Sequence, residues 1–132
     1  MDVFPAYFPL TGRKVVVAGA GEAADAKARL FDGSPATLVR VEGTAAFLPG
    51  SYSGATLAFI AGDELFVQAA AGAARAARAL VNVVDHPTLS DFHTPALVDR
   101  GEVVAAVGTA GSAPLLAALI RNAIETRIPE GA

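Results

Sequence analysis

Cysteine is absent from this chain, which excludes disulfides, thiolate nucleophiles and every cysteine-ligated zinc or iron–sulfur site. Tryptophan is absent too. Only two histidines are present, His86 and His93, too few for a common catalytic zinc site without carboxylate help, so no metal ligand set is assigned. Charge is scarce: 17% of residues are Asp, Glu, Lys or Arg, against about 25% in an average soluble domain. The formal net charge is −3 and the basic residues are scattered, which removes the field that nucleic-acid binding needs. No apolar run approaches the roughly 18 residues of a membrane helix. The opening MDVFPAYFPLTGRK lacks the charged-then-apolar order of a secretory leader, so a cytoplasmic location is expected.

What remains is a chain of 132 residues, 53% of them hydrophobic, enough for one compact domain. With so few charges, part of the exposed surface is expected to be apolar, which favours an oligomer interface.

Strand and helix signals alternate. Val15 to Val17 reads as a buried strand, Glu22 to Phe31 as a helix stopped by Asp32-Gly33-Ser34-Pro35, and Ala36 to Val41 as a second strand. A loop with a short helix at Thr44 to Leu48 leads to a strand at Ala55 to Ala61. A helix at Leu65 to Leu80 follows, with Arg75 and Arg78 on one face and Gly72 placed for close packing. Then come a strand at Val81 to Val84, a short helix near Leu89 to Phe92, a strand at Val103 to Val107, and a helix from about Ala113 to Thr126. Ser112 would cap that last helix, with Pro114 in its first turn. The alternation predicts an α/β fold built on a parallel sheet with right-handed crossovers.

Between the first strand and the first helix stands Gly19-Ala20-Gly21-Glu22-Ala23-Ala24, a G-x-G-x-x-A run in the context the dinucleotide fingerprint requires. Gly19 allows the tight turn, Gly21 the approach of a pyrophosphate, and Ala24 the packing of helix on strand, while the helix N-terminus faces the phosphate charge. A glycine-rich turn without ligand explains the same residues. Glu42 ends the second strand where an acidic residue normally receives a ribose 2′-hydroxyl, which favours NAD; Arg40 close by would suit a 2′-phosphate instead. Glu22 also complements the helix dipole.

Asp85 ends the Val81 strand, where ligands of an open parallel sheet gather. Two readings stand: a carboxylate facing the crevice, or an aspartate that only starts the turn before Pro87.

The blocks RKVVVAGAGEAADAKARL, NVVDHPTLSDFHTPALVDRG and VVAAVGTAGSAPLLAALIR, in that order, resemble the N-terminal module of the siroheme synthases, the precorrin-2 dehydrogenase and sirohydrochlorin ferrochelatase family. The resemblance implies a Rossmann-like NAD-binding domain over residues 1–95 and a strand-helix dimerisation segment over 96–132, making a homodimer. It implies NAD-dependent oxidation of the tetrapyrrole precorrin-2 to sirohydrochlorin, with ferrous iron inserted by some members, and Asp85 as the aspartate serving both steps. NAD would lie along Gly19, Ala20, Gly21, Glu22 and Ala23, with Glu42, Gly43 and Thr44. Thr109, Gly111 and Ser112 would cradle a macrocycle carboxylate, although a plain helix cap explains them as well. Arg100 and Arg121 would meet substrate carboxylates across the dimer, unless they are solvated surface charges; His86 and His93 are weaker candidates as iron ligands. Departures are a Val41–Ala55 connection shorter than the family's, threonine at 109 where serine is usual, and the loss of the resemblance near Ala132, where relatives continue into a helical cover. A non-catalytic dimeric module that binds NAD or a tetrapyrrole is the alternative.

Overall fold

The computed structural model describes residues 1–111 and 113–130. They form two compact units, one of residues 8–93 and one of residues 1–7 with the chain from 94 onward.

In the first unit, β1 (Lys14–Ala18), β2 (Thr37–Val41), β3 (Ala55–Ile60) and β4 (Leu80–Val83) make a fully parallel sheet in the order β2-β1-β3-β4. Helices α1 (Glu22–Arg29) and α2 (Glu64–Ala76) cover its two faces. Side chains of successive strand residues point to opposite faces, so the Val15-Val16-Val17-Ala18 run feeds both cores. Val16 and Ala18 join Ala58, Ile60, Val81 and Val83 beneath α2. Val15 and Val17 join Leu57, Phe59 and Ala61 beneath Ala24 and Ala28 of α1. The buried face of α2 is Val67, Ala70, Ala71, Ala73 and Ala74, small residues that let the helix lie close to the sheet. The Val41–Ala55 connection is two single-turn 3-10 helices, Gly43–Phe47 and Pro49–Tyr52. The buried Tyr52 hydroxyl pins them by donating to the Ala46 carbonyl at 2.6 Å.

Several expectations change. The second helix stops at Ala76 rather than Leu80, because Arg78 takes the left-handed conformation (φ 67°). Its N–H bonds to Arg75 O and that of Ala79 to Ala74 O, a Schellman ending in which arginine occupies the position glycine normally holds. Arg78 therefore does not share a helical face with Arg75. Gly72 is exposed and a Cβ there would meet nothing, so it serves no close packing. The expected helix near Leu89 to Phe92 is only a 3-10 turn, Pro87–Leu89. Beyond it the chain covers the outer edge of β4: Asp91 N–H donates to Val81 O (2.7 Å), Val81 N–H to Asp91 Oδ2 (2.9 Å), and the buried Asn82 Nδ2 to Phe92 O (2.9 Å).

The second unit holds β5 (Ala96–Asp99) and β6 (Val104–Val107), an antiparallel hairpin, with α3 (Pro114–Glu125) packed on it through the buried Val98 and Ala117. The strand expected at Val103 to Val107 is thus outside the parallel sheet. Ala96 to Asp99 forms a partner strand that the alternation did not announce, and the hairpin turns where Gly101 has φ 81° and its N–H bonds to Asp99 Oδ1. Pro114 stands in the first turn of α3 as expected; its N-cap, Ala113, offers no side chain, and Ser112 lies outside the described residues. Among the described residues no helix is long and apolar enough to cross a membrane.

Candidate active site

Sheet register brings the candidate residues of the first unit to one edge. Ala18 pairs with Val41 on one side and Ile60 on the other, and Ile60 pairs with Val83. Gly19, Glu42, Ala61 and Val84 therefore leave their strands at one level. The ladder runs one step further into the loops: Gly19 N–H to Val41 O (2.9 Å), Ala61 N–H to Ala18 O (3.0 Å), Val84 N–H to Ile60 O (2.9 Å). From β1 the chain moves outward to β2 and then returns past β1 to β3, so the strand order reverses between β1 and β3. That reversal opens a crevice at the carboxyl ends of the strands. The crevice holds about 250 Å³ and is lined by Gly19, Ala20, Ala61, Gly62, Asp63 and Phe66.

Glycine is required at position 19 for more than a turn. Its φ is 111°, and a Cβ there would stand 2.0 Å from the Ala61 carbonyl oxygen, so only a bare backbone passes the end of β3. Gly21 differs: with φ 94° it is the N-cap of α1, and a Cβ there would meet open space. No side chain caps α1. The first-turn amides of a helix have no intrahelical partner, so those of Glu22, Ala23 and Ala24 remain for an anion. Glu22 itself pairs with Arg29, and Asp25 with Arg40 at 2.9 Å.

Glu42 is exposed, with extended backbone, and its carboxylate caps nothing. Gly43 (φ 61°) and Thr44 follow in the 3-10 turn, which is anchored by the buried Ala46 and by Phe47 against Phe66, ring centroids 5.4 Å apart. The glycine loop and the Glu42 loop are neighbours through the bond from Gly19 N–H to Val41 O.

Asp85 lies in the tight turn Val83–His86, closed by His86 N–H to Val83 O at 3.0 Å, and its φ is 63°. Aspartate is among the few residues that tolerate this conformation. The side chain is exposed at the same sheet edge as the glycine loop. His86 is half-buried beside it and His93 is exposed.

Sequence reasoning missed Lys27. It stands three residues after Ala24 and one before Ala28, on the buried face of α1, with its ammonium 5.9 Å from the Phe59 ring centroid. Phe59 belongs to the same apolar cluster as Val84, the residue before Asp85. Burial pushes the Lys27 ammonium below its ordinary value, and the negative charge of Asp85 acts in the opposite direction. A lysine at i+3 from a helix-packing alanine was the available signal.

Thr109 and Gly111 belong to the second unit, on the loop before α3. Thr109 Oγ1 accepts the Gly111 N–H at 3.3 Å, and Gly111 has φ 96°. Arg121 is occupied within that unit, donating from Nε to Leu97 O at 2.7 Å and pairing with Glu125. Arg100 Nη1 reaches its neighbour Asp99 O at 3.4 Å.

Comparison with known proteins adds the following. Residues 6–96 match the NAD_binding_7 family, described as "Putative NAD(P)-binding". A siroheme synthase of Pseudomonas entomophila is 38% identical over 148 aligned positions, covering 98% of this chain and 32% of that protein. A siroheme synthase of Chromobacterium violaceum is 36% identical over 150 positions, covering 99% of this chain and 32% of its own. The chain thus spans about a third of the length of these relatives. Among solved structures, SirC, a precorrin-2 dehydrogenase, superposes with a TM-score of 0.69 at 19% identity, over 97% of this chain and 72% of that one. That likeness is one of fold.

Proposed function

Because this chain belongs to the NAD_binding_7 family, we propose that it binds NAD at the β1–β3 crevice and uses it to dehydrogenate precorrin-2 to sirohydrochlorin, the class of chemistry named for its structural neighbour. The carrying observation is that the side-chain-free cradle at Gly19 and Gly21 and the strained turn bearing Asp85 leave the same edge of one parallel sheet.

The cradle suits a dinucleotide. Gly19 clears the crevice, Gly21 leaves open the approach to α1, and the uncapped amides of Glu22 and Ala23 face a pyrophosphate, with Ala20 lining the wall. Glu42 takes the ribose hydroxyls, with Gly43 and Thr44 alongside. Arg40 is already paired with Asp25, so no free cation on β2 awaits a 2′-phosphate, which favours NAD over NADP.

NAD, when bound, supplies the hydride acceptor. Each dehydrogenation removes a hydride and a proton, and Asp85 receives the proton. A carboxylate so placed contributes about 100- to 10,000-fold in rate. Lys27 gives this carboxylate a cationic neighbour. Two copies associate through α3, whose Leu115, Leu116, Leu119 and Ile120 are exposed at 81%, 53%, 66% and 43%. A cytoplasmic setting supplies the oxidised cofactor.

The test is purified protein mixed with precorrin-2 and NAD, watched for NADH and for the sirohydrochlorin spectrum. Both are expected to rise together. NAD binding without turnover would leave a dimeric binding module; failure of both would remove the proposal.

A further inference from the structure

Both ends of the turn holding Asp85 meet one side-chain oxygen. Ser90 Oγ lies 2.9 Å from Val83 N, 3.2 Å from Val83 O and 2.9 Å from His86 O. A hydroxyl has one proton and two lone pairs. It therefore accepts the Val83 N–H and donates to one of the two carbonyls, the closer being His86. Val83 and His86 are the first and last residues of the four-residue turn, so both of its ends are fastened at one point outside β4. We propose that Ser90 is a positioning residue for Asp85, setting where its carboxylate stands; this rests on the role proposed for Asp85 above.

Two further observations favour that assignment. Asp85 occupies a left-handed conformation (φ 63°) that is tolerated by aspartate but still costs more than ordinary backbone, so bonds that fix the turn help to keep it. The turn's own bond, His86 N–H to Val83 O, closes it from within, and Val84 N–H bonds to Ile60 O. Ser90 in turn is held in place from both sides. Arg75 donates from Nη2 to Leu89 O and pairs with Asp91, while Asp91 exchanges two bonds with Val81. The hydroxyl is thereby kept against the turn. Covering the β4 edge needs only the Asp91–Val81 pair; contacting both ends of the Asp85 turn is an additional property of Ser90.

The experiment uses the whole chain with Ser90→Ala and Ser90→Thr, the latter keeping the hydroxyl. Hydrogen exchange needs no substrate: Ser90→Ala is expected to speed exchange at Val83 and His86 by about fivefold or more, the loss of one hydrogen bond, leaving Val16 unchanged. With precorrin-2 and NAD at a temperature where all variants are folded, Ser90→Ala is expected to lose about tenfold to a hundredfold in kcat, as misplacement by up to 1 Å does, with KM for NAD unchanged. Ser90→Thr is expected to restore kcat to within about threefold. Unaltered exchange, or a Ser90→Ala enzyme that melts earlier yet keeps wild-type kcat, overturns the proposal. Absence of wild-type turnover is a failure of the dehydrogenase reading instead, and the exchange result then decides whether Ser90 holds the turn.

Discussion

Replacing Gly19 by alanine tests the crevice between β1 and β3. The new methyl would stand 2.0 Å from the Ala61 carbonyl oxygen, 1 Å inside the 3.0 Å limit that real Cβ contacts respect. The neighbour is backbone and cannot swing away. It is held by the Ala61 N–H bond to Ala18 O, and Gly19 is held by its own bond to Val41 O. Relief requires the strand ends to part, at about 1 kcal/mol for each hydrogen bond given up. The backbone conformation at φ 111° costs a side-chain-bearing residue about 1–3 kcal/mol more. Together these amount to roughly 3–5 kcal/mol, and at about 3–5 °C per kcal/mol the melting temperature should fall on the order of 10–20 °C. Gly21→Ala is the matched control, since its Cβ meets nothing and only the backbone term of about 1–3 kcal/mol applies. Its methyl would nevertheless project where a pyrophosphate approaches, so NAD affinity should drop in a protein that is still well folded. Thermal melts followed by circular dichroism and calorimetric titration with NAD read both effects. A Gly19→Ala protein melting within about 3 °C of wild type would refute the packing argument, and unchanged NAD affinity in Gly21→Ala would refute the cradle.

Burial pushes the Tyr52 hydroxyl up to about 12 from an ordinary 10, so its contribution to stability is whole below pH 10 and is lost as pH rises towards 12, by about 3 kcal/mol. Urea unfolding of wild type and Tyr52→Phe at both pH values should show that slope only in the wild type; equal slopes would contradict it. The Lys27 ammonium is pushed down from 10.5, so the folded state binds fewer protons and stability should rise with pH from the lowered value up to 10.5. Lys27→Met should be more stable than wild type at neutral pH, because no ammonium is then held in a buried position; a less stable variant counts against this. Leu119→Glu on α3 should convert a dimer to a monomer by sedimentation, whereas a monomeric wild type would dispose of the proposed interface.

The parallel sheet was legible because each strand carries its own signal. Val15 to Val17 is a continuous apolar run and Leu57 to Ala61 another, while the glycine loop between β1 and α1 fixes the first crossover. What escaped was set by contacts distant in sequence or by unusual backbone. Arg78 ends α2 in a conformation for which the sequence supplies no glycine, and the hairpin of β5 and β6 has too short a strand pattern to declare its partner. Ser90 and Asp91 fell inside the short helix expected near Leu89 to Phe92, because nothing local says they will bond to β4. At the site, Gly19, Gly21, Glu42 and Asp85 were visible as motif positions. The Ala61 carbonyl that makes Gly19 obligatory and the Lys27 ammonium over Phe59 required the fold.

The central claim is that a carboxylate on the β4 turn works with a dinucleotide held at the β1 loop. Its most direct measurement is the rate of NADH formation from precorrin-2 and NAD by wild type and by Asp85→Asn, with NAD affinity measured in parallel. The expected result is wild-type turnover, a loss of about 100- to 10,000-fold in Asp85→Asn, and equal NAD affinity in the two proteins. Equal rates in the two proteins would contradict it.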